Sequence, residues 1–130
     1  MRFSLIFFVF FSLFSCDNSF NNKKIDFAKN SVVAHRGAWK AKRFPENSIA
    51  SLKEAIRLNC HASEFDVRMT KDGVLIVAHD KDYNELIIEE NNYKELIKTK
   101  LSNGEKLPTL KEYLLAGMDN NTETGFVVEI

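Results

Sequence analysis

Acids and bases stand at the ends of apolar runs along this chain: His35-Arg36-Gly37, Pro45-Glu46-Asn47, Glu64-Phe65-Asp66, His79-Asp80 and Glu129. Soluble domains rarely gather carboxylates, imidazoles and a guanidinium beside strand-forming segments unless those groups bind or react with something. Carboxylates brought to one point repel each other, and a hard divalent cation with oxygen ligands relieves the repulsion. Glu64, Asp66 and Glu129 are the ligand candidates. Calcium or magnesium suits them better than zinc, which recruits more His or Cys. His35 and His79 exchange protons near neutral pH, so a pair flanking a reacting centre can serve as general base and general acid. Arg36 offers a planar fork of donors for phosphate oxygens. Together these groups imply metal-assisted cleavage of a phosphodiester. His61 is the plain counter-example, a histidine expected in a turn with no part in the chemistry.

The elements that must position these groups can be read from periodicity and turn chemistry. Residues 31–34 form a short β-type run ending at His35-Arg36-Gly37, where glycine permits a sharp turn. Pro45-Glu46-Asn47 opens a helix with Asn47 as its N-cap and Ile49, Leu52, Ala55 and Ile56 as its apolar stripe, ending near Asn59. From Ser63 to Met69 the chain alternates, with Glu64, Asp66 and Arg68 on one face and Phe65, Val67 and Met69 on the other. Taken alone, the two acids fit the wet face of an edge strand; the flanking histidines argue for a site. Asp72-Gly73 signals a hairpin whose returning strand, residues 74–78, delivers His79. The polar stretch from Lys81 to Glu105 predicts only one short helix, around Tyr93 to Lys98. Thr109-Leu110-Lys111-Glu112 has capping-box spacing for a helix through Leu115, with Gly117 as its terminator. Residues 125–130 read as a buried strand carrying Glu129. This order is the start of an α/β architecture with parallel main strands, in which reactive residues collect at the carboxyl ends.

The chain of 130 residues carries 18 basic and 18 acidic side chains, a balance that favours neither nucleic acid nor an acidic membrane surface. No basic stripe or RNA-type aromatic motif appears, so nucleic acid is not an expected partner. At the N-terminus, Arg2 precedes an apolar run from Leu5 to Phe11. That run is too short to span a hydrocarbon core of about 30 Å, and suits a signal peptide over residues 1–15. Leu13-Phe14-Ser15-Cys16 has the form of a bacterial lipobox, which makes Cys16 a lipidated first residue and the protein an exported, membrane-anchored lipoprotein facing the periplasm or cell surface. Residues 16–30, rich in Asn and Lys, then read as a tether. With Cys16 acylated, Cys60 has no intrachain partner and is expected to be a small buried residue at a helix end.

Several motifs in register carry a resemblance over about residues 32–130. His35-Arg36-Gly37, Pro45-Glu46-Asn47-Ser48, Glu64-Phe65-Asp66-Val67, Thr70-Lys71-Asp72-Gly73-Val74 leading to His79-Asp80, Pro108-Thr109-Leu110 and Val128-Glu129-Ile130 are similar to the successive signatures of the glycerophosphodiester phosphodiesterase family. The resemblance implies a TIM barrel and hydrolysis of deacylated phospholipids to glycerol 3-phosphate and an alcohol. A cyclic phosphate would form by attack of a glycerol hydroxyl and then be opened by water. It further implies His35 and His79 as the acid–base pair, Arg36 as a phosphate contact, Glu64, Asp66 and Glu129 as ligands of Ca2+ or Mg2+, and Glu46 in support near Arg36. Departures are Cys60-His61-Ala62-Ser63 where a glycine-led turn is usual, Phe65 where leucine is common, and no Arg-Thr-Thr-like segment after Asp80.

A barrel has eight strands and typically about 250 residues, so residues 31–130 correspond to about the first three barrel strands. The leading expectation is therefore the N-terminal part of a membrane-anchored phosphodiesterase. Two alternatives are a catalytically inactive lipoprotein remnant, at most binding its ligand, and a related barrel phosphodiesterase acting on intact lipids.

Overall fold

A computed structural model describes residues 29–130. The expectations for residues 1–15 and for Cys16 lie outside the described residues. Among the described residues no helix is long and apolar enough to cross a membrane.

The architecture is a mixed sheet, three strands parallel and one antiparallel, covered on one face by helices. Strand β1 (Val33–Ala34) leads to helix α1 (Ile49–Arg57), then to β2 (Ala62–Met69) and its antiparallel return β3 (Leu75–Val77). A polar insertion follows, with β4 (Asp82–Tyr83), β5 (Leu86–Ile87), a 3-10 turn at Ile88–Glu90 and helix α2 (Tyr93–Leu96). Helix α3 (Leu110–Met118) and strand β6 (Gly125–Glu129) complete the described chain. Strand β2 is central: it pairs in parallel with β1 at Ala62 and Ser63 and with β6 from Ala62 to Asp66, while β3 pairs with its last residues. The edge-strand reading of Glu64 and Asp66 therefore fails, and both acids lie on a strand with neighbours on either side.

Alternation along β2 decides what faces where. Phe65 and Val67 point to the helices and, with Leu52, Val77 and Tyr113, make the main core. The Phe65 ring lies 4.7 Å from that of Tyr113 and meets Phe126 edge-on at 6.1 Å. The opposite face is left to Glu64 and Asp66. The insertion has its own core of Ile76, Ala78, Ile88, Leu96 and Leu107, so it packs as a satellite on the carboxyl end of β2.

The start of α1 and the end of α3 differ from expectation. Ser48, and not Asn47, caps α1: Ser51 N–H donates to Ser48 Oγ at 3.0 Å and Ser48 N–H to Ser51 Oγ at 3.2 Å. Ser-x-x-Ser closes the reciprocal cap usually made by Ser-x-x-Glu, which frees Asn47 for another task. Gly117 lies inside α3, which runs on to Met118. A Cβ there would stand 2.5 Å from Phe126 Cζ, so this glycine permits close helix–strand packing and is not a stop signal. The other end of α1 is as expected. Asn59 adopts φ 50, its N–H donates to Ile56 O and Cys60 N–H to Ala55 O, which is the Schellman pattern with asparagine in the left-handed position. Cys60 is buried with a free thiol, whose pKa burial pushes up.

The insertion shows what the sequence reading left unassigned. Asn84 and Glu85 take φ 49 and 65, the two positive values of a tight hairpin turn joining β4 to β5. The expected helix at residues 93–98 is shorter, Tyr93–Leu96, and is capped by Asn92 with Glu95.

Candidate metal and phosphate site

The site is built from the β1–α1 loop, the middle of β2 and the ends of β3 and β6. Glu64, Asp66 and Glu129 each offer a carboxylate oxygen, and these oxygens lie within 4.8 Å of one another. The register explains it: Asp66 stands directly opposite Glu129 in the parallel ladder, and Glu64 precedes Asp66 by two residues on the same face. Glu64 and Asp66 are buried; Glu129 is exposed.

The loop after β1 holds the two buried acids from above. Arg36 takes φ 55 and Gly37 φ 81, and this turn aims the Arg36 N–H at Glu64 Oε2, 2.8 Å away. The Arg36 side chain runs between two carboxylates: Nη1 donates to Glu46 Oε2 at 2.7 Å, and Nε lies 3.5 Å from Asp66 Oδ2. The hydrogen bond to Glu46, reinforced by the charges of Glu46, Asp66 and Glu64, raises the guanidinium pKa against the effect of burial. Glu46 thus lies directly against Arg36. His35, exposed, presents Nε2 4.0 Å from Glu64 Oε2.

His79 approaches from the other side. It lines a cavity of about 230 Å³ together with Asp66, Arg68 and Glu129. Its Nδ1 lies 2.8 Å from Asp80 Oδ1; a carboxylate only accepts, so Nδ1 carries the hydrogen and Nε2 is the free ring nitrogen. The His79 carbonyl accepts from Arg68 Nε at 2.7 Å. The structure thus brings all the sequence-selected groups from His35 to Glu129 around one acidic cluster, with the histidines on different flanks. His61 lies apart, lining a cavity between the start of β2 and the end of α3.

Three contributors were missed. Asn47 brackets Asp66, Asp80 orients His79, and Arg68 holds the His79 backbone. The alternation of β2 placed Arg68 on the carboxylate face, which was the available signal; nothing in the spacing of Asn47 pointed to Asp66, 19 residues away.

The donor set fits a hard divalent cation. It is all carboxylate oxygen, and Glu64 Oε1 is buried with no hydrogen-bond partner. Burying a charged oxygen without a partner costs free energy that a cation would offset.

Comparison with known proteins places this geometry. The model of the "Glycerophosphoryl diester phosphodiesterase family" matches residues 35–129. A glycerophosphodiester phosphodiesterase of Caldanaerobacter subterraneus subsp. tengcongensis is 35% identical over 96 residues, covering 65% of this chain and 39% of that protein. A solved glycerophosphodiester phosphodiesterase from Parabacteroides distasonis superposes with a TM-score of 0.69 at 43% identity, covering 78% of this chain and 43% of the other. The corresponding enzyme of Thermotoga maritima gives a TM-score of 0.60 at 28% identity, over 78% and 45% of the two chains. The chain thus spans less than half the length of these relatives. Its parallel strands β1, β2 and β6 form part of the TIM barrel seen in those enzymes.

Proposed function

The chain belongs to the glycerophosphoryl diester phosphodiesterase family, and from that premise we propose that its protein hydrolyses glycerophosphodiesters, such as glycerophosphocholine or glycerophosphoethanolamine, to glycerol 3-phosphate and an alcohol. The observation that carries the reading is the meeting of Glu64, Asp66 and Glu129 oxygens within 4.8 Å, flanked by His35, Arg36 and His79.

Glu64, Asp66 and Glu129 would hold Ca2+ or Mg2+, which supplies positive charge to the phosphoryl oxygens. Arg36 binds a phosphate oxygen with guanidinium hydrogens not engaged by Glu46. His35 and His79 divide the proton transfers: one takes the proton of the attacking hydroxyl, the other returns a proton to the departing alcohol. For His79 the working atom is Nε2, because Asp80 holds Nδ1. Buried Glu64 and Asp66 stay fixed while this happens, since a backbone N–H and a side-chain amide already grip one oxygen of each.

The test is release of glycerol 3-phosphate from glycerophosphocholine by the natural gene product carrying this sequence. Turnover is expected to stop with EDTA and to return with added Ca2+ or Mg2+. Absence of metal-dependent turnover on any glycerophosphodiester overturns the assignment, and release of headgroup from intact diacyl lipid in its place favours a phospholipase-type activity.

The protein is further proposed to be exported and anchored to the membrane through acylated Cys16. This rests on the apolar run and Leu13-Phe14-Ser15-Cys16 in the sequence. Cys16→Ala is expected to move it from the membrane to the soluble fraction, and retention at the membrane would refute the anchor.

A further inference from the structure

Asn47 is buried, 5% exposed, and sits at φ 56 just before the cap of α1. A polar side chain in that position has to be hydrogen-bonded, and helix capping, its expected role, belongs to Ser48. Its hydrogen bonds all lead into the site. Asn47 Nδ2–H donates to Asp66 Oδ2 at 2.9 Å, and Asp66 N–H donates back to Asn47 Oδ1 at 3.3 Å. Its own N–H donates to Arg36 O at 3.0 Å. One neutral amide thus ties the carboxylate and the backbone of Asp66 to the loop that carries Arg36.

We infer that Asn47 is a positioning residue for Asp66, committing Oδ2 to the protein so that Oδ1 is the oxygen offered to a divalent cation. Among the described residues, the two groups that reach the Asp66 carboxylate, Asn47 Nδ2 and Arg36 Nε, both go to Oδ2. An amide suits this task because it donates without adding charge beside an anion and accepts the Asp66 N–H through its other end. Partners that orient a ligand in this way typically change metal affinity by about 10- to 100-fold when removed. The inference rests on the reading of Glu64, Asp66 and Glu129 as a cation site.

The test uses the natural gene product carrying this sequence. Ca2+ and Mg2+ are titrated calorimetrically into the wild type and into Asn47→Gly, a change that keeps the left-handed backbone and removes the amide. The variant is expected to bind about 10- to 100-fold more weakly. Unchanged affinity accompanied by a lower metal-free melting temperature would make Asn47 merely structural and overturn the inference. A wild type that binds neither cation defeats the metal-site reading, and this inference with it; a wild type that binds and a variant that binds equally well defeat only the role of Asn47. Should Asn47→Gly not fold, the wild type still decides: its Asn47 side-chain amide resonance is expected to shift on saturation with either cation, and a resonance that stays in place overturns the inference.

Discussion

One methyl group added at Gly37 tests the packing that carries His35 and Arg36. Gly37 sits at φ +81, and an ideal Cβ there would stand 2.4 Å from Ser51 Oγ, 2.6 Å from Ser51 Cβ and 2.7 Å from the Ser51 backbone carbon. Two costs add. The left-handed backbone disfavours any L side chain by about 1–2 kcal/mol, and overpacking against a helix backbone that cannot step aside adds about 1–3 kcal/mol. Gly37→Ala should therefore lose about 2–5 kcal/mol, a large part of the roughly 5–15 kcal/mol that holds a domain folded. Gly73→Ala is the matched control, at φ +76 with nothing within 4 Å of its Cβ; only the backbone cost applies, and the gap between the variants measures the clash. Urea unfolding followed by far-ultraviolet circular dichroism reads both. The site should also respond, because Ser51 Oγ donates to Arg36 O at 3.2 Å and accepts from Ser48 N–H. At temperatures where both variants stay folded, Gly37→Ala is expected to lose more kcat/KM than Gly73→Ala. Equal destabilisation of the two would refute the reasoning.

A cation bound by the native state and not by the unfolded chain stabilises by about 2.7 kcal/mol at a hundredfold excess over its Kd. Added Ca2+ or Mg2+ should therefore raise the melting temperature of the wild type and leave Glu129→Gln unmoved; an equal rise in both would exclude Glu129 as a ligand. At Glu112, burial pushes the carboxyl pKa up, but Lys106 Nζ at 2.6 Å and the Thr109 hydrogen bonds outweigh it, so the folded value lies below the ordinary 4.5. A depressed carboxyl stabilises above its unfolded pKa and loses that contribution as pH falls through the folded value. The melting-temperature advantage of the wild type over Glu112→Gln should accordingly be constant near neutrality and shrink as pH falls below the ordinary carboxyl value and through the lowered folded one, and an advantage that stays unchanged on acidification until the protein unfolds would contradict it.

What the sequence disclosed and what it hid follow from the range of the interactions involved. The Thr109 cap with Glu112, the Asn59 terminus of α1 and the alternation of β2 are local signals, and all three hold in the structure. The hairpin of β4 and β5 was hidden because its turn is Asn84-Glu85, in which a bulky acid replaces the usual glycine at positive φ. Gly117 misled because a glycine near a helix end signals both a stop and a close contact, and only the position of Phe126 tells which. Asn47 misled for a similar reason: it precedes a helix as a cap would, yet a serine one position later completes the cap with Ser51, and the amide is spent on β2. The convergence of Glu129 with Asp66 depends on the register of two strands far apart in sequence, which local patterns leave open.

The three acids are not held alike, and the difference bears on how a cation would be taken up. Glu64 gives Oε2 to the Arg36 N–H and Asp66 gives Oδ2 to Asn47, so each is oriented by a loop whose Arg36, Gly37 and Asn47 all adopt left-handed φ values of 55, 81 and 56. Non-glycine residues in that region are unfavourable by about 1 kcal/mol or more and persist only where surrounding contacts over-determine them. Here the determining contacts are the ones that grip the carboxylates, so loop strain and ligand orientation are parts of one arrangement. Glu129 stands opposite Asp66 at the end of β6, and its side chain makes no hydrogen bond or ion pair among the described residues. A cation at this site would therefore meet Glu64 and Asp66 already oriented by the protein.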